Sequence, residues 1–328
     1  MTVHADGEPP APGEPMMRLR RSCLVVPGTS ARMLRKATTL PADQIIIDLE
    51  DGVAPDAKAS ARVSVSDALA QLTFAAPTVS VRINALDSPW ASGDLAALCD
   101  APVAPDTVVV PKVGSAGEVT AVAEALARDA PPGLEVQIEN AVGLRDIAVI
   151  LAASPQIEAC IVGPGDLSAS LGMPGTTIGA AADVPGDPWV PLLSTILVQA
   201  RAAGVQAIDG PYARLDDMAG LAASAARSHA IGYDGKWVIH PSQIAPVTTA
   251  FGITQDDFEH ACDLLDAYAA AADTGAGAAV FGREMIDAAT RRMAEWQRLR
   301  GLAEGREVRP TPADVPPEER AAWRQHHA

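Results

Sequence analysis

Leu134-Glu-Val-Gln-Ile-Glu-Asn140 is a short apolar run that ends in a carboxylate and an amide. Its reading as a strand that opens onto a working surface decides the fold. The next such run, Ala159-Cys-Ile-Val162, leads into Gly163-Pro-Gly-Asp-Leu167 and again places a carboxylate just past the apolar stretch. Outward from this pair the same unit recurs. Apolar, β-branched runs stand at Cys23 to Val26, Ile45 to Leu49, Val79 to Ile83, Val108 to Val110, Val205 to Ile208 and Trp237 to Ile239, and Ala-, Leu- and charge-rich helical stretches separate them. The starts of the eight runs lie roughly 22 to 46 residues apart, the length that a strand, a crossover helix and two loops require. Strands apolar on both faces and alternating with helices form a parallel sheet.

Two parallel architectures compete. An open doubly wound sheet offers one crevice and commonly a glycine fingerprint after its first strand; here Val-Pro-Gly-Thr-Ser stands in that place. Polar or charged residues close most of the runs instead: Asp48 with Glu50 and Asp51, Arg82 with Asn84, Lys112, Glu139 with Asn140, Asp166, Asp209 and His240. A closed (β/α)8 TIM barrel gathers all such ends on one face, where barrel enzymes keep their active sites. The sequence therefore predicts an α/β chain with a TIM-barrel domain over residues 18–250. A leader over 1–17, a C-terminal helical extension or lid over 251–300 and a flexible tail over 301–328 flank it. Within the extension, Thr254 to Ala272 reads as an amphipathic helix capped by Thr254, Thr274 to Ala279 as a Gly/Ala joint, and Arg283 to Leu299 as a last helix.

Composition bounds the function. The chain has 328 residues, 48% of them hydrophobic, and a net charge of −16 from 41 acids against 25 bases. Such a balance excludes a general nucleic-acid binder, which needs a concentrated basic face. No apolar run approaches the ~20 residues that span a bilayer. The four cysteines, Cys23, Cys99, Cys160 and Cys262, are far apart and lack zinc spacing, so they read as buried reduced thiols. Residues 1–15 carry acids among prolines and no export signal, which places the protein in the cytoplasm.

Each candidate site residue has two readings. Glu139 and Asp166, on consecutive strand ends, suit a Mg²⁺ or Mn²⁺ ion with positions left for water and substrate oxygens; otherwise they are turn or cap residues paired with Lys112 or Arg145. Arg82 interrupts an apolar strand and needs an anion, either the Asp48, Glu50 and Asp51 cluster or a substrate carboxylate. Arg32, Arg35 and Lys36 are a solvated helix face or a clamp for a phosphorylated cofactor. His240, before Pro241, is a loop-fixing residue in preference to a general base. Asp287 is an exposed helix acid, or a carboxylate that a closing arm brings to the chemistry.

Taken in order, Arg21-Ser-Cys-Leu-Val-Val-Pro-Gly28, Ile47-Asp-Leu-Glu-Asp-Gly-Val-Ala-Pro55, Val81-Arg-Ile-Asn84, Val110-Pro-Lys-Val113, Ile138-Glu139, Gly165-Asp-Leu167, Gln206-Ala-Ile-Asp209 and Gly235-Lys-Trp-Val-Ile-His-Pro-Ser-Gln-Ile244 resemble the citrate lyase beta-subunit-like proteins. These belong to the wider HpcH/HpaI aldolase group, with malyl-CoA and citramalyl-CoA lyases. The resemblance runs from about Arg21 to Arg298. It implies a homo-oligomer (trimer or hexamer), a divalent metal, and reversible C–C cleavage of a β-hydroxyacyl-CoA to acetyl-CoA or propionyl-CoA plus a 2-oxoacid. It further implies that Glu139 and Asp166 hold Mg²⁺ and that Arg82 binds substrate; Asp48, Glu50, Asp51 and Lys112 are read, from their places at the strand ends, as the residues that support them. Arg32, Lys36 and the backbone at Trp237 and Val238 would contact CoA, and Asp287 would do acid/base work at a neighbouring subunit. Three alternatives stay open: a CoA-independent hydroxy-keto-acid aldolase, whose branch Gly163-Pro-Gly-Asp-Leu-Ser-Ala-Ser-Leu-Gly172 resembles; a malyl-CoA thioesterase or malate-synthase-like activity through Asp287; and a citrate lyase beta subunit that works only with partner subunits.

Overall fold

Alternation along each apolar run sets the architecture. In Cys23-Leu-Val-Val26, Cys23 and Val25 face the middle of a barrel with Ile46, Val109, Ile161, Ile208 and Trp237, while Leu24 and Val26 join the larger core beneath the helices. That period of two, apolar on both sides, is what a strand buried on both faces requires. The computed structural model describes residues 18–174, 177–179, 186–273 and 278–307. Eight parallel strands close in sequence order: β1 Ser22–Pro27, β2 Gln44–Asp48, β3 Thr78–Arg82, β4 Thr107–Val110, β5 Gly133–Ile138, β6 Ile157–Val162, β7 Gln206–Asp209 and β8 Gly235–Val238. Pairing of Ser22 with Lys236 and of Cys23 with Trp237 seals β1 to β8. The anticipated TIM barrel is the fold observed.

Around the strands run α1 Ala31–Ala37, α2 Lys58–Gln71, α3 Ala91–Asp100, α4 Ala116–Ala125, α5 Ala141–Arg145, α6 Ile147–Leu151, α7 Pro164–Leu171, α8 Trp189–Ala202, α9 Met218–Ile231 and α10 Ile244–Phe251. Local sequence starts several of them. Ser115 and Glu118 form a reciprocal capping box on α4, and Asn140 caps α5 by accepting from the Gly143 N–H.

Among the described residues the chain divides into two compact units, 18–252 and 253–307. The second begins with α11 Gln255–Asp273, and Thr254 caps it through the Asp257 N–H at 3.0 Å. The helix expected from Arg283 starts later. A hairpin, β9 Ala279–Phe281 and β10 Glu284–Ile286, comes first, because Gly282 takes the left-handed backbone (φ 59°) that a tight turn needs and Met285 pairs with Val280. Asp287 then caps α12, Ala288–Ala303. This helix runs past Leu299 into the segment expected to be loose. Gly301 is buried, and a Cβ there would lie 2.1 Å from the ring of the fully buried Phe258. Residues 1–17, 274–277 and 308–328, which hold the expected leader, most of the joint and most of the tail, lie outside the described residues.

The four cysteines are free, yet only Cys23 and Cys160 are buried. Cys99 lies exposed on α3 and Cys262 is half-buried, since both occupy helices rather than barrel strands. No helix among the described residues is long and apolar enough to cross a membrane.

The N-terminal end of the barrel is closed by a polar network. Glu135 Oε1 accepts from Arg20 Nε at 3.1 Å, Gln44 Nε2 at 2.6 Å and Thr107 Oγ1 at 2.8 Å. Arg20 also reaches Glu158 at 2.6 Å and Gln206. Both Arg20 and Glu135 are buried, so removing one leaves the other as an uncompensated ion. Arg20→Met is expected to lower unfolding free energy by about 3–5 kcal/mol in urea titrations, with the activity per folded molecule at the opposite end of the barrel unchanged.

Candidate active site

At the C-terminal end, β2 and β3 are in register at Asp48 and Arg82. That register makes a bidentate pair, with Arg82 Nε to Asp48 Oδ1 at 2.7 Å and Nη2 to Oδ2 at 2.8 Å. Glu50 Oε2 lies 2.7 Å from Nη1, and the more exposed Asp51 lies 3.9 Å from it. The Trp237 ring, inside the barrel, carries the guanidinium carbon 5.4 Å from its centroid. Burial disfavours the charge on Arg82, but Asp48, Glu50 and Asp51 outweigh it and raise its pKa further. In Asp48, burial is likewise outweighed, by Arg82 and by the Glu50 and Gly52 N–H groups, so its carboxyl stays below the usual range. Of the two anions considered for Arg82, the protein supplies the first. The fork still has N–H groups to spare, because it carries five.

The loop after β2 is fastened from below by Lys58 on α2. Its Nζ donates to the carbonyls of Leu49 at 2.8 Å and Glu50 at 2.7 Å and to Asn84 Oδ1 at 2.6 Å. Asp94 holds Asn84 in turn, at 2.8 Å through its N–H and 2.6 Å through its amide.

Lys112, two residues past β4, is the link to the other carboxylates. It has φ 54°, the left-handed region, and is the non-glycine residue found there among the described residues. This backbone aims its N–H at Glu139 Oε1, at 2.7 Å, and Asn140 Nδ2 holds its carbonyl at 3.1 Å. Its ammonium lies 2.5 Å from Glu50, 3.4 Å from Asp166 and 3.6 Å from Asp51. Glu139 follows β5, and Gln137 Nε2 donates to its Oε2 at 2.7 Å. Gly163 makes room for this: a Cβ there would fall 2.2 Å from Glu139 Oε2. Asp166 stands half-exposed in the first turn of α7. Arg145, the other partner considered for these acids, pairs with Asp146 instead.

Asp48, Glu50, Asp51, Glu139 and Asp166 thus surround two cations, Arg82 and Lys112. Burial, with Glu50 and then Asp166 adding to it against the opposing Lys112, pushes the Glu139 carboxyl up to about 8. A carboxylate so placed takes either a proton or a further cation. Among the described residues no three acids, histidines or cysteines form a complete cage. The donor set is a pair of carboxylates at an open mouth, which fits Mg²⁺ or Mn²⁺ retaining water and substrate oxygens.

The remaining candidates stand on other elements. Arg32, Arg35 and Lys36 are exposed on α1 and form no ion pair among the described residues. Trp237 and Val238 are buried in β8, with the indole turned to Arg82. His240 accepts from the Ser242 N–H at 3.2 Å as the cap of a short 3-10 turn, the loop-fixing role preferred for it. Asp287 caps α12 and accepts from the Ala289 and Thr290 N–H groups at 2.8 and 3.0 Å. These bonds hold its carboxyl below the usual range. Sequence reading missed Gln137, Lys58 and the indole of Trp237. Only Gln137 had a usable signal, its place two residues before Glu139 on one strand face.

The HpcH/HpaI aldolase/citrate lyase profile matches residues 21–241, and a C–C bond lyase profile of the TIM-barrel fold matches residues 199–298. The chain is 36% identical over 306 residues to an L-malyl-CoA/beta-methylmalyl-CoA lyase of Rhodobacter capsulatus, covering 88% of this chain and 95% of that one. It is 34% identical over 267 residues to a (3S)-malyl-CoA thioesterase of Cereibacter sphaeroides, covering 81% and 89%. Among solved structures, the CitE protein of Mycobacterium tuberculosis in complex with magnesium, acetoacetate and coenzyme A superposes with a TM-score of 0.67 at 32% identity, over 86% of this chain and 97% of that one. A barrel mouth that gathers Arg82, Glu139 and Asp166, in a chain matched over this length, belongs to the HpcH/HpaI aldolase/citrate lyase family.

Proposed function

We propose that the chain is a Mg²⁺-dependent carbon–carbon lyase. It cleaves, reversibly, a β-hydroxyacyl-CoA of the malyl-CoA or citramalyl-CoA type to acetyl-CoA or propionyl-CoA and a 2-oxoacid. The observation that carries this reading is the under-neutralised pair Glu139 and Asp166 beside Arg82, at the mouth of a barrel whose relatives are named malyl-CoA lyases.

In this reading Glu139 and Asp166 hold the ion, and Gln137, Gly163 and the Lys112 N–H fix how Glu139 is presented. When bound, Mg²⁺ supplies Lewis-acid charge to the substrate's carbonyl and carboxylate oxygens. Arg82, locked by Asp48, turns its remaining N–H groups to the oxygen on which charge develops. The β-hydroxyl proton leaves to a base and the C–C bond breaks. Its electron pair passes to the thioester as an enolate, which takes a proton to give the shorter acyl-CoA. Asp287 is the candidate acid/base. Arg32 and Lys36 suit the phosphates of CoA, with the backbone at Trp237 and Val238 beside it. The assembly is a homo-oligomer, trimer or hexamer, working in the cytoplasm.

Incubation of the purified protein with Mg²⁺ and malyl-CoA or citramalyl-CoA is expected to release a 2-oxoacid and the shorter acyl-CoA in equal amounts. A folded protein that cleaves neither thioester overturns the proposal. Free CoA without 2-oxoacid would mark the thioesterase reading. Turnover of CoA-free hydroxy-keto acids that is indifferent to loss of Arg32 and Lys36 would mark the aldolase one.

Arg82→Met should lower kcat by about 10²–10³-fold, the usual loss of an oxyanion donor. Gly163→Ala, which keeps both carboxylates but forces Glu139 to shift, should weaken Mg²⁺ binding by about 10–100-fold in calorimetric titration. Full metal-dependent activity in Glu139→Gln would overturn the assignment of that residue.

A further inference from the structure

Lys112 combines three features that no structural role of a surface lysine requires. Its backbone is left-handed, a conformation that a non-glycine residue holds at a cost. Its side chain is half-buried, yet its ammonium lies among Glu50, Asp51 and Asp166. Its own N–H is bonded to Glu139. One residue therefore touches both carboxylates assigned to the ion, one through the main chain and one through the side chain.

We propose that Lys112 is the resident counter-cation of the divalent-metal site: its ammonium holds Asp166 in place before the ion arrives, and the ion binds by displacing that ammonium from Asp166. The inference rests on the reading that Glu139 and Asp166 hold the metal.

The contacts are graded in a way that permits the exchange. The ammonium is 2.5 Å from Glu50 and 3.4 Å from Asp166, so the Asp166 contact is the looser of the two. Among the described residues, Asp166 has no other ion partner. Glu50 is buried and holds the ammonium through Oε1 while its Oε2 faces Arg82 at 2.7 Å, so the Glu50 contact persists when Asp166 turns away. The lysine stem is flexible, and the main chain it springs from is fixed by Glu139 and Asn140. The Glu139 contact thus survives the exchange while the Asp166 contact does not. Both cations compete for one carboxylate, and like charges a few ångströms apart repel. Removing the ammonium makes the mouth more negative by one charge and removes the competitor, so it tightens divalent binding. A lysine that merely glued the loops together would have the opposite effect, because its loss would loosen the donors.

The test is Mg²⁺ binding by isothermal titration calorimetry on the full chain without substrate, repeated with Mn²⁺ by electron paramagnetic resonance. Lys112→Met removes the charge. Lys112→Gly removes it and also relaxes the left-handed backbone while keeping the N–H that meets Glu139; it decides the matter if the methionine variant does not fold. Both are expected to bind at least about fivefold more tightly than the unaltered chain, and Lys112→Arg to stay within about twofold of it. Equal or weaker binding by the folded neutral variants overturns the inference. Glu139→Gln and the unaltered chain are titrated alongside. If those two bind Mg²⁺ alike, the metal assignment itself fails and takes this inference with it. Loss in Glu139→Gln without tightening in the Lys112 variants defeats the role of Lys112 alone.

Discussion

A guanidinium buried at the rim of a parallel barrel needs an anion within reach, and Asp48 meets Arg82 with both carboxylate oxygens because β2 and β3 are in register at those two residues. The rest of the mouth depends on that pair. Asp48 also accepts the N–H groups of Glu50 and Gly52, so the bonds that orient Arg82 also shape the loop that carries Glu50 and Asp51. Glu50 then reaches Lys112, and Lys112 reaches Glu139 and Asp166. Asp48, Arg82, Glu50 and Glu139 are buried, whereas Lys112 and Asp166 are partly exposed. A buried network of this kind is costly when half satisfied and rigid when complete.

That network is left acidic, with five carboxylates around two cations. A neutral cluster would be the simpler solution for stability alone. The excess is concentrated where Glu139 is buried, and its carboxyl is raised first by that burial and then by the neighbouring Glu50 and Asp166. The opposite end of the barrel shows the contrast. There Arg20 meets Glu135 and Glu158 among amides and hydroxyls, and the network serves the barrel's closure.

Much of the fold was legible because both of its determinants are local in sequence. Short β-branched runs spaced by helix-length segments leave few parallel architectures, and the missing glycine fingerprint with polar strand ends favoured the closed one. Glu139, Asp166 and Arg82 were legible for the same reason, being charges that interrupt or end apolar runs. The hairpin before α12 was not, since Arg283 to Asp287 carries helix-compatible residues and only the pairing of Glu284 to Ile286 with Ala279 to Phe281 makes part of it a strand. The exposure of Cys99 and the indole of Trp237 over Arg82 depend on which way a helix or strand is rotated, and composition does not report rotation.

By itself, then, the sequence determined the barrel, the acidic character of its mouth and the residue types available there, because strand length, spacing and end chemistry are properties of contiguous segments. Only the tertiary structure decided which acid meets which base. It assigned Asp48 to Arg82, turned Lys112 into the left-handed backbone that bonds Glu139, and brought the Lys112 ammonium to Glu50 and Asp166. Those are contacts between residues far apart in the chain, or choices of backbone angle imposed by such contacts, and they exist only once strand register and barrel closure have fixed where each side chain points.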